Sequence, residues 1–434
     1  MIVICDALCK AHSHEQFNSG FIFGFRLAYP EEKILFYGDA SHIEAVKNIF
    51  GIRNVIIDNI EYIPIQFQLK NSFTAFIQFY FLFRRILSDL ITLGEDRLFL
   101  LASNSPIRYI LKRLKQNRKF NNIRFSLVCH GDWEELPGKR PEMIELPLRK
   151  VTQPSLIAKV QKVTIANFSH KVRGGLERIG GWGKRLFQLV ENKCQGLFNS
   201  FFPFKKILLW RHSKDFKYIF LSPHIVNNVA QYIDVSKFDF HTVVLPTIFK
   251  EPTPQPHNKS VKFGIIGYGY SGMLYKLLTA LSLKKLTNPY EIRIIGMDNR
   301  AAEGFPCVTC QSPGKPLPRE DMEKSIEDID VSLILYDKTL HRFGCSGSIL
   351  EAMSYMKPVV HLENDCVNIF NTKDNPIGIC CNSPEGMADV MAKIINNYTE
   401  YRSIFQEYRD NILKLRRQID IRNNTSRLRA SFTW

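Results

Sequence analysis

The stretch LHRFGCSGSILEAMSYMKPVVHL, Leu340 to Leu362, decides how the chain is read. Just before it, Val331 to Tyr336 (VSLILY) is a continuous apolar run of strand length, the composition of a parallel strand buried on both faces. Small residues follow at Gly344, Cys345, Ser346, Gly347 and Ser348, and then Ile349, Leu350, Ala352, Met353 and Met356 recur at helical spacing. Lys357-Pro358 ends that helix, because the residue before a proline is pushed out of the helical region, and Val359 to Leu362 resumes as a strand. The unit is strand, small-residue loop, short helix, strand, the repeat of an α/β sheet.

A helix start carries unpaired backbone N–H groups and roughly half a positive charge, so a loop without bulky side chains lets a phosphate reach those donors. Ser346 and Ser348 add hydroxyls, and Glu351, one turn in, is placed to accept hydrogen bonds from ribose hydroxyls. Small residues also cap helices in any doubly wound sheet, so the loop alone leaves both readings open. The whole string resembles the donor-nucleotide motif of GT-B glycosyltransferases, through Ser346-Gly347-Ser348, Glu351-Ala352-Met353 and Lys357-Pro358-Val359-Val360. The resemblance implies an α/β fold of two Rossmann-like domains facing across a cleft, with a nucleotide-sugar donor on the second and a glycan acceptor on the first. It also implies no cofactor and no metal for the departing diphosphate, whose charge is met by helix-terminal donors. The chain departs from the motif at Phe343, where that family carries a second Glu eight positions before the helix Glu.

At 434 residues the chain suits two α/β domains, and 45% hydrophobic residues suffice to bury both. The net charge of +16 points to an anionic partner surface. Ten cysteines without a regular framework read as free thiols of a reducing compartment, and Cys307-Val-Thr-Cys310 lacks the other half of a zinc site. Met1 to Cys5 reads as a first strand rather than a leader peptide, so a cytoplasmic protein is expected.

Along the first domain, Ile2 to Cys5, Ile34 to Tyr37, Val55 to Ile57, Leu98 to Ala102 and Phe125 to Cys129 are predicted strands. The polar segment Asp6 to Gly20 is predicted as a loop at the carboxyl end of the first, where ligands bind in such sheets. The loop after Cys129, His130-Gly131-Asp132-Trp133-Glu134, lies at a second carboxyl end and resembles the acceptor-side loop of GT-B enzymes. His130, Asp132 and His14 are accordingly expected to take or hold the acceptor proton, with Asn18, Gly20 and Glu134 on the acceptor side. Phe73 to Ile91 is aromatic and helical, but its uncharged run of thirteen residues is short of the roughly 20 that span a bilayer. Seven Lys/Arg without an acid between Arg108 and Arg124, and eight against two acids between Lys171 and Lys206 among interleaved aromatics, read as contacts to an anionic membrane surface.

The prolines of EPTPQPHNKS, residues 251–260, mark the domain boundary. The expected division is 1–250 for the acceptor domain with a basic, aromatic insertion at about 155–206, 251–398 for the donor domain, and 399–434 for C-terminal helices packing back on the first domain. The second domain opens with Val261 to Ile266 and Gly267-Tyr-Gly269-Tyr-Ser-Gly272, a dinucleotide-like G-x-G-x-x-G turn. A nicotinamide reading leaves Ser346 to Glu351 unused, whereas the GT-B resemblance puts both loops around the donor. Donor contacts are expected from Gly269, Tyr270 and Ser271 and from Gly344, Ser346, Gly347, Ser348 and Glu351.

The expected partners are thus a nucleotide sugar, a cell-envelope or polysaccharide acceptor, lipid-linked, and an anionic membrane surface on its cytosolic face. Two other readings stay open: a sugar-nucleotide epimerase on the same fold, and a catalytically silent subunit that binds a membrane or an active partner. A nucleophile elbow is excluded because that turn needs Gly where Ser348 stands. No Walker loop occurs, and the basic patches match no nucleic-acid-reading module.

Overall fold

The computed structural model describes residues 1–66, 72–129, 131–137, 203–210, 214–255, 258–267, 270–296, 300–311 and 317–433. His130, Gly269 and all but the last residues of the 155–206 segment lie outside them. In chain order the first sheet is made by β1 (Ile2–Asp6), β2 (Ile34–Asp39), β3 (Ile60–Ile65), β4 (Arg97–Leu100), β5 (Arg124–Val128), β6 (Phe216–Phe220) and β7 (Asp239–Thr242). Its helices are α1 (Glu15–Ala28), α2 (Ala40–Ile52), α3 (Ser72–Thr92), α4 (Ser105–Leu114), α5 (Phe204–Leu209) and α6 (Pro223–Ala230). The second sheet has β8 (Val261–Gly267), β9 (Tyr290–Gly296), β10 (Val308–Cys310), β11 (Val331–Ile334), β12 (Val359–Leu362) and β13 (Gly378–Cys381). With them come α7 (Ser271–Ser282), α8 (Arg319–Glu327), α9 (Gly347–Ser354), α10 (Asp365–Asn368) and α11 (Pro384–Asn396), and then α12 (Tyr398–Ile419) and α13 (Thr425–Phe432).

Strand order is β3-β2-β1-β4-β5-β6-β7 in one sheet and β10-β9-β8-β11-β12-β13 in the other, with every pair parallel. Both sheets reverse direction beside their first strand, between β1 and β4 and between β8 and β11. A crevice opens at such a point because the flanking connections leave on opposite faces. The apolar runs that predicted strands are buried: VSLI of β11 and VVHL of β12 show no exposed position.

One apolar cluster runs from Phe21 and Phe25 of α1 through Ile412, Leu428 and Phe432 to Ile266, Met353 and Val359 of the second sheet. The last helix lies on the first domain. Phe432 meets Phe25 edge-on with centroids 5.4 Å apart, Ser126 Oγ donates to the Ser431 carbonyl at 3.1 Å, and Arg429 donates to the Ala28 carbonyl.

Three local expectations are corrected. Val55 to Ile57 is no strand: Ile56 is 91% exposed, and the strand lies at Ile60–Ile65, whose Pro64 is tolerated because β3 is a sheet edge. The segment Asp6 to Gly20 turns helical at Glu15, because Phe17, Phe21 and Phe25 repeat every four residues against the sheet. The basic run from Arg108 to Arg124 is also not one charged face. Arg108 is buried against Asp132, the Lys112 ammonium donates to the carbonyls of Ile207, Leu208 and Trp210, Lys115 pairs with Asp215, and Arg124 pairs with Asp96. Arg113, Arg118 and Lys119 remain exposed.

Candidate active site

The segment after β1 and the carboxyl ends of β8 and β9 face one cleft of about 400 Å³. Its second-domain wall is formed by Gly267, Gly296, Leu317, Arg319, Met322, Cys345, Gly347, Leu350 and Glu351, and its first-domain wall by His12, His14, Glu15, Gln16, Phe17 and Pro246-Thr247.

On the second-domain wall the backbone is bare. Gly267 and Gly296 end their strands at φ +87° and +114°, conformations that L side chains avoid, so these two positions put backbone rather than side chain at the floor. The N-cap of α9, Ser346, gives no side-chain hydrogen bond to its own helix, since its hydroxyl pairs with Tyr336 Oη at 2.8 Å. Ser348 Oγ donates to the Ile266 carbonyl at 2.8 Å and ties the helix start to the end of β8. Gly347 therefore presents the α9 start to the cleft beside the Gly267 turn.

One turn further on, Glu351 is gripped by Arg319, Nη1 to Oε1 at 2.8 Å and Nη2 to Oε2 at 3.0 Å. Arg319 Nε also donates to Glu323 Oε1 at 2.9 Å, and Glu323 lies 2.9 Å from Arg53 Nη1, which comes from the first domain. With its amide oxygen facing them, Gln16 of α1 accepts from Arg319 at 2.6 Å and from Arg53 at 3.3 Å. Burial opposes the charge on Arg319, but Glu351 and Glu323 outweigh it and hold the guanidinium more firmly protonated than usual. The floor of the cleft is thus a buried charge network that joins both domains and leaves the Glu351 carboxylate fixed at the wall.

On the opposite wall His14 precedes α1 in the left-handed region, φ +58°. The imidazole opens onto the cleft, and desolvation by the walls around it lowers its pKa and favours the neutral form, which accepts a proton. Beside it His12 Nδ1 lies 2.6 Å from Glu15 Oε2, and burial raises the Glu15 carboxyl above its ordinary value.

The other expected site residues lie elsewhere. Asp132 is held by Arg108, and burial, opposed by that guanidinium, lifts its pKa to about 6. Glu134 reaches across the domains and accepts the Phe343 N–H at 3.0 Å, next to Gly344. Phe343 itself is buried in the first domain's apolar cluster, its ring 5.8 Å from that of Tyr232. Tyr270 Oη lies 3.1 Å from His341 Nε2, and Ser271 begins α7. Asn18 is buried between Asp6 and His42, and a Cβ on Gly20 would sit 2.1 Å from the Pro246 carbonyl oxygen, so that glycine is a packing position.

The chain matches no family model and no curated protein. It does resemble solved structures over its whole length. The apo form of WaaB, a lipopolysaccharide outer core galactosyltransferase, is 13% identical with a TM-score of 0.51, over 99% of this chain and 98% of that one. A mutant of S. aureus TarM in complex with fondaparinux, alpha-GlcNAc-glycerol and UDP is 10% identical with a TM-score of 0.53, over 100% and 99%. This chain has the GT-B glycosyltransferase fold. At these identities the likeness is one of fold.

Within the GT-B frame, the residues that sequence reasoning missed are Arg319, Glu323, Arg53 and Gln16. No pattern marks them: Arg319 and Glu323 look like a solvated i, i+4 pair on a helix, yet both are buried, and their partners Arg53 and Glu351 come from distant segments. Gly267 was visible as the end of a strand.

Proposed function

We propose that this protein is a glycosyltransferase that moves a sugar from a nucleotide-sugar donor to a cell-envelope or polysaccharide acceptor. The observation that carries the reading is the opposition, across one cleft, of the bare α9 start with Glu351 to the neutral His14. The diphosphate is held at Gly267 and Gly347, where backbone donors and the helix dipole meet its charge. Glu351, oriented by Arg319, accepts from the ribose, and Leu317 and Met322 supply the apolar wall for the base. The acceptor hydroxyl enters from the first domain and gives its proton to His14.

The acceptor is lipid-linked, and the protein works as a peripheral protein at the cytosolic face of an anionic membrane. Among the described residues no helix is long and apolar enough to cross a membrane. Instead α3 exposes Ile77 and Phe81 beside Arg84 and Arg85, and Lys119 reaches that helix at Ser88 Oγ, 3.3 Å away. Apolar side chains ringed by cations fit an interfacial contact.

Incubation with radiolabelled UDP- and GDP-sugars and extracted envelope glycolipids tests the reading. Transfer of label to glycolipid supports it. Release of an altered nucleotide sugar without acceptor would support the epimerase reading instead. Binding without turnover of any donor would favour a silent subunit, a reading for which Phe343 in the motif's carboxylate position speaks.

A further inference from the structure

Beneath the first-domain wall, Asp6 at the end of β1, Cys9 in the following loop and His42 on α2 bring their ligand atoms within 4.8 Å of one another, and all three are buried. We propose that they form, with Asn18 of α1, a structural zinc site.

His42 and Asp6 are already oriented for a metal, and the Cys9 thiol is held against the Asp6 carboxylate. His42 Nδ1 lies 2.8 Å from the Ala11 carbonyl oxygen, which can only accept. Nδ1 therefore carries the proton, and Nε2 turns its lone pair inward, as backbone carbonyls orient metal-bound imidazoles. Asp6 Oδ1 accepts the N–H groups of Leu8 and Cys9, both at 2.9 Å, so the carboxylate is fixed with Oδ2 facing the same interior point. At that point stands the Asn18 amide nitrogen, 2.7 Å from Asp6 Oδ2 and 2.6 Å from His42 Nε2.

The second observation is Asn18 Oδ1, which is fully buried and has no hydrogen-bond partner among the described residues. Turning the amide over would place that oxygen against a carboxylate oxygen and an imidazole lone pair, an arrangement that only a cation among them stabilises. The four donors are then a carboxylate oxygen, a thiolate, an imidazole nitrogen and an amide oxygen. Two negative charges balance a divalent ion, as a buried site requires, and the Cys9 proton leaves to solvent when the ion binds. Sulfur and imidazole together with four-coordination select zinc over magnesium or calcium.

The ion would tie β1, α1 and α2 around the loop that carries His12 and His14 to the cleft, and it touches neither donor nor acceptor. The proposal does not rest on glycosyl transfer. The test is titration of the chelator-stripped full chain with zinc ion against a chromophoric chelator, followed by cobalt(II) spectroscopy. The expected result is one tight zinc per chain and a thiolate-to-cobalt charge-transfer band. Both should be lost in Cys9→Ser and His42→Gln and retained in Cys380→Ser, an exposed thiol. Absence of tight zinc in the folded wild-type chain, or a band that survives both variants, overturns the site. If those variants fail to fold, X-ray absorption of the wild-type zinc adduct decides: one sulfur among nitrogen and oxygen neighbours is expected, and no sulfur or several would refute it.

Discussion

Arg319 forks onto both carboxylate oxygens of Glu351, at 2.8 and 3.0 Å, while its Nε reaches Glu323. A cleft-facing carboxylate is thereby locked to a charge that also ties down the first domain through Glu323 and Arg53.

Removing that guanidinium leaves the part-buried Glu351 carboxylate without its partner, while Glu323 keeps Arg53 and Lys250. Arg319→Gln should lower unfolding free energy by about 3 to 5 kcal/mol. Arg319→Lys should cost less because it keeps the charge, yet not nothing, since an ammonium cannot fork onto one carboxylate while also holding a second. Urea unfolding of both variants measures this. Equal stability of Arg319→Gln and wild type would mean that the network contributes nothing.

His14 is the proton acceptor in the proposed reaction. His14→Asn keeps a residue type that tolerates positive φ, so the turn survives. Turnover at saturating donor and acceptor should fall by roughly 10²- to 10⁴-fold while UDP affinity stays unchanged. A variant with wild-type turnover would remove His14 from the chemistry.

Between pH 4 and 6.5 the loop before α9 should weaken. Burial holds the His341 pKa at about 4, against an ordinary 6.5, with the neighbouring His224 adding to the effect. The unfolded chain therefore binds more protons than the folded one in that window. Stability from this group is complete above 6.5 and is lost as pH falls towards 4. His341→Asn should flatten the pH dependence of unfolding there by up to about one proton. An unaltered slope would contradict the assignment.

Vesicle co-sedimentation separates membrane docking from a merely solvated surface. Binding should be strong to anionic vesicles, weak to neutral ones, partly reversed by salt, and reduced by both Phe81→Ser and the Arg118→Glu, Lys119→Glu pair. Each cation near an anionic leaflet contributes about 1 kcal/mol, so the double charge reversal should be large. Sedimentation that does not depend on anionic lipid would eliminate docking.

The second domain was legible because its signals are local. VSLILY, the small-residue loop, the Glu-Ala-Met helix and Lys357-Pro358 each act through backbone preference or burial within a few residues. Even there the lysine after the helix is unexpected: Lys357 is buried, bonded to Gln255 and to the Glu327 carbonyl, and burial lowers its pKa to about 7. What was hidden is set by pairing between distant segments. The count of cations from Arg108 to Arg124 could not show that Arg108 turns inward to Asp132 and Lys112 to the end of α5. Polar character at Asp6 to Gly20 suggested a loop, yet Asn18 is polar because it answers Asp6 and His42 in a buried network. The strand misplaced at Val55 to Ile57 followed hydrophobicity alone, and the true edge strand carries a proline that argued against it.

The central claim is that the α9 start and Glu351 hold the donor's nucleotide. Titration calorimetry of UDP and GDP into the wild-type chain and into folded Glu351→Gln and Glu351→Ala tests it most directly. One nucleotide should bind the wild-type chain; Glu351→Gln, which keeps an acceptor oxygen, should bind it more weakly, and folded Glu351→Ala about 1.5 to 3 kcal/mol more weakly, as expected for losing a hydrogen bond to a charged group. Unchanged affinity in the folded variants, or no binding of either nucleotide to the wild-type chain, would contradict the account.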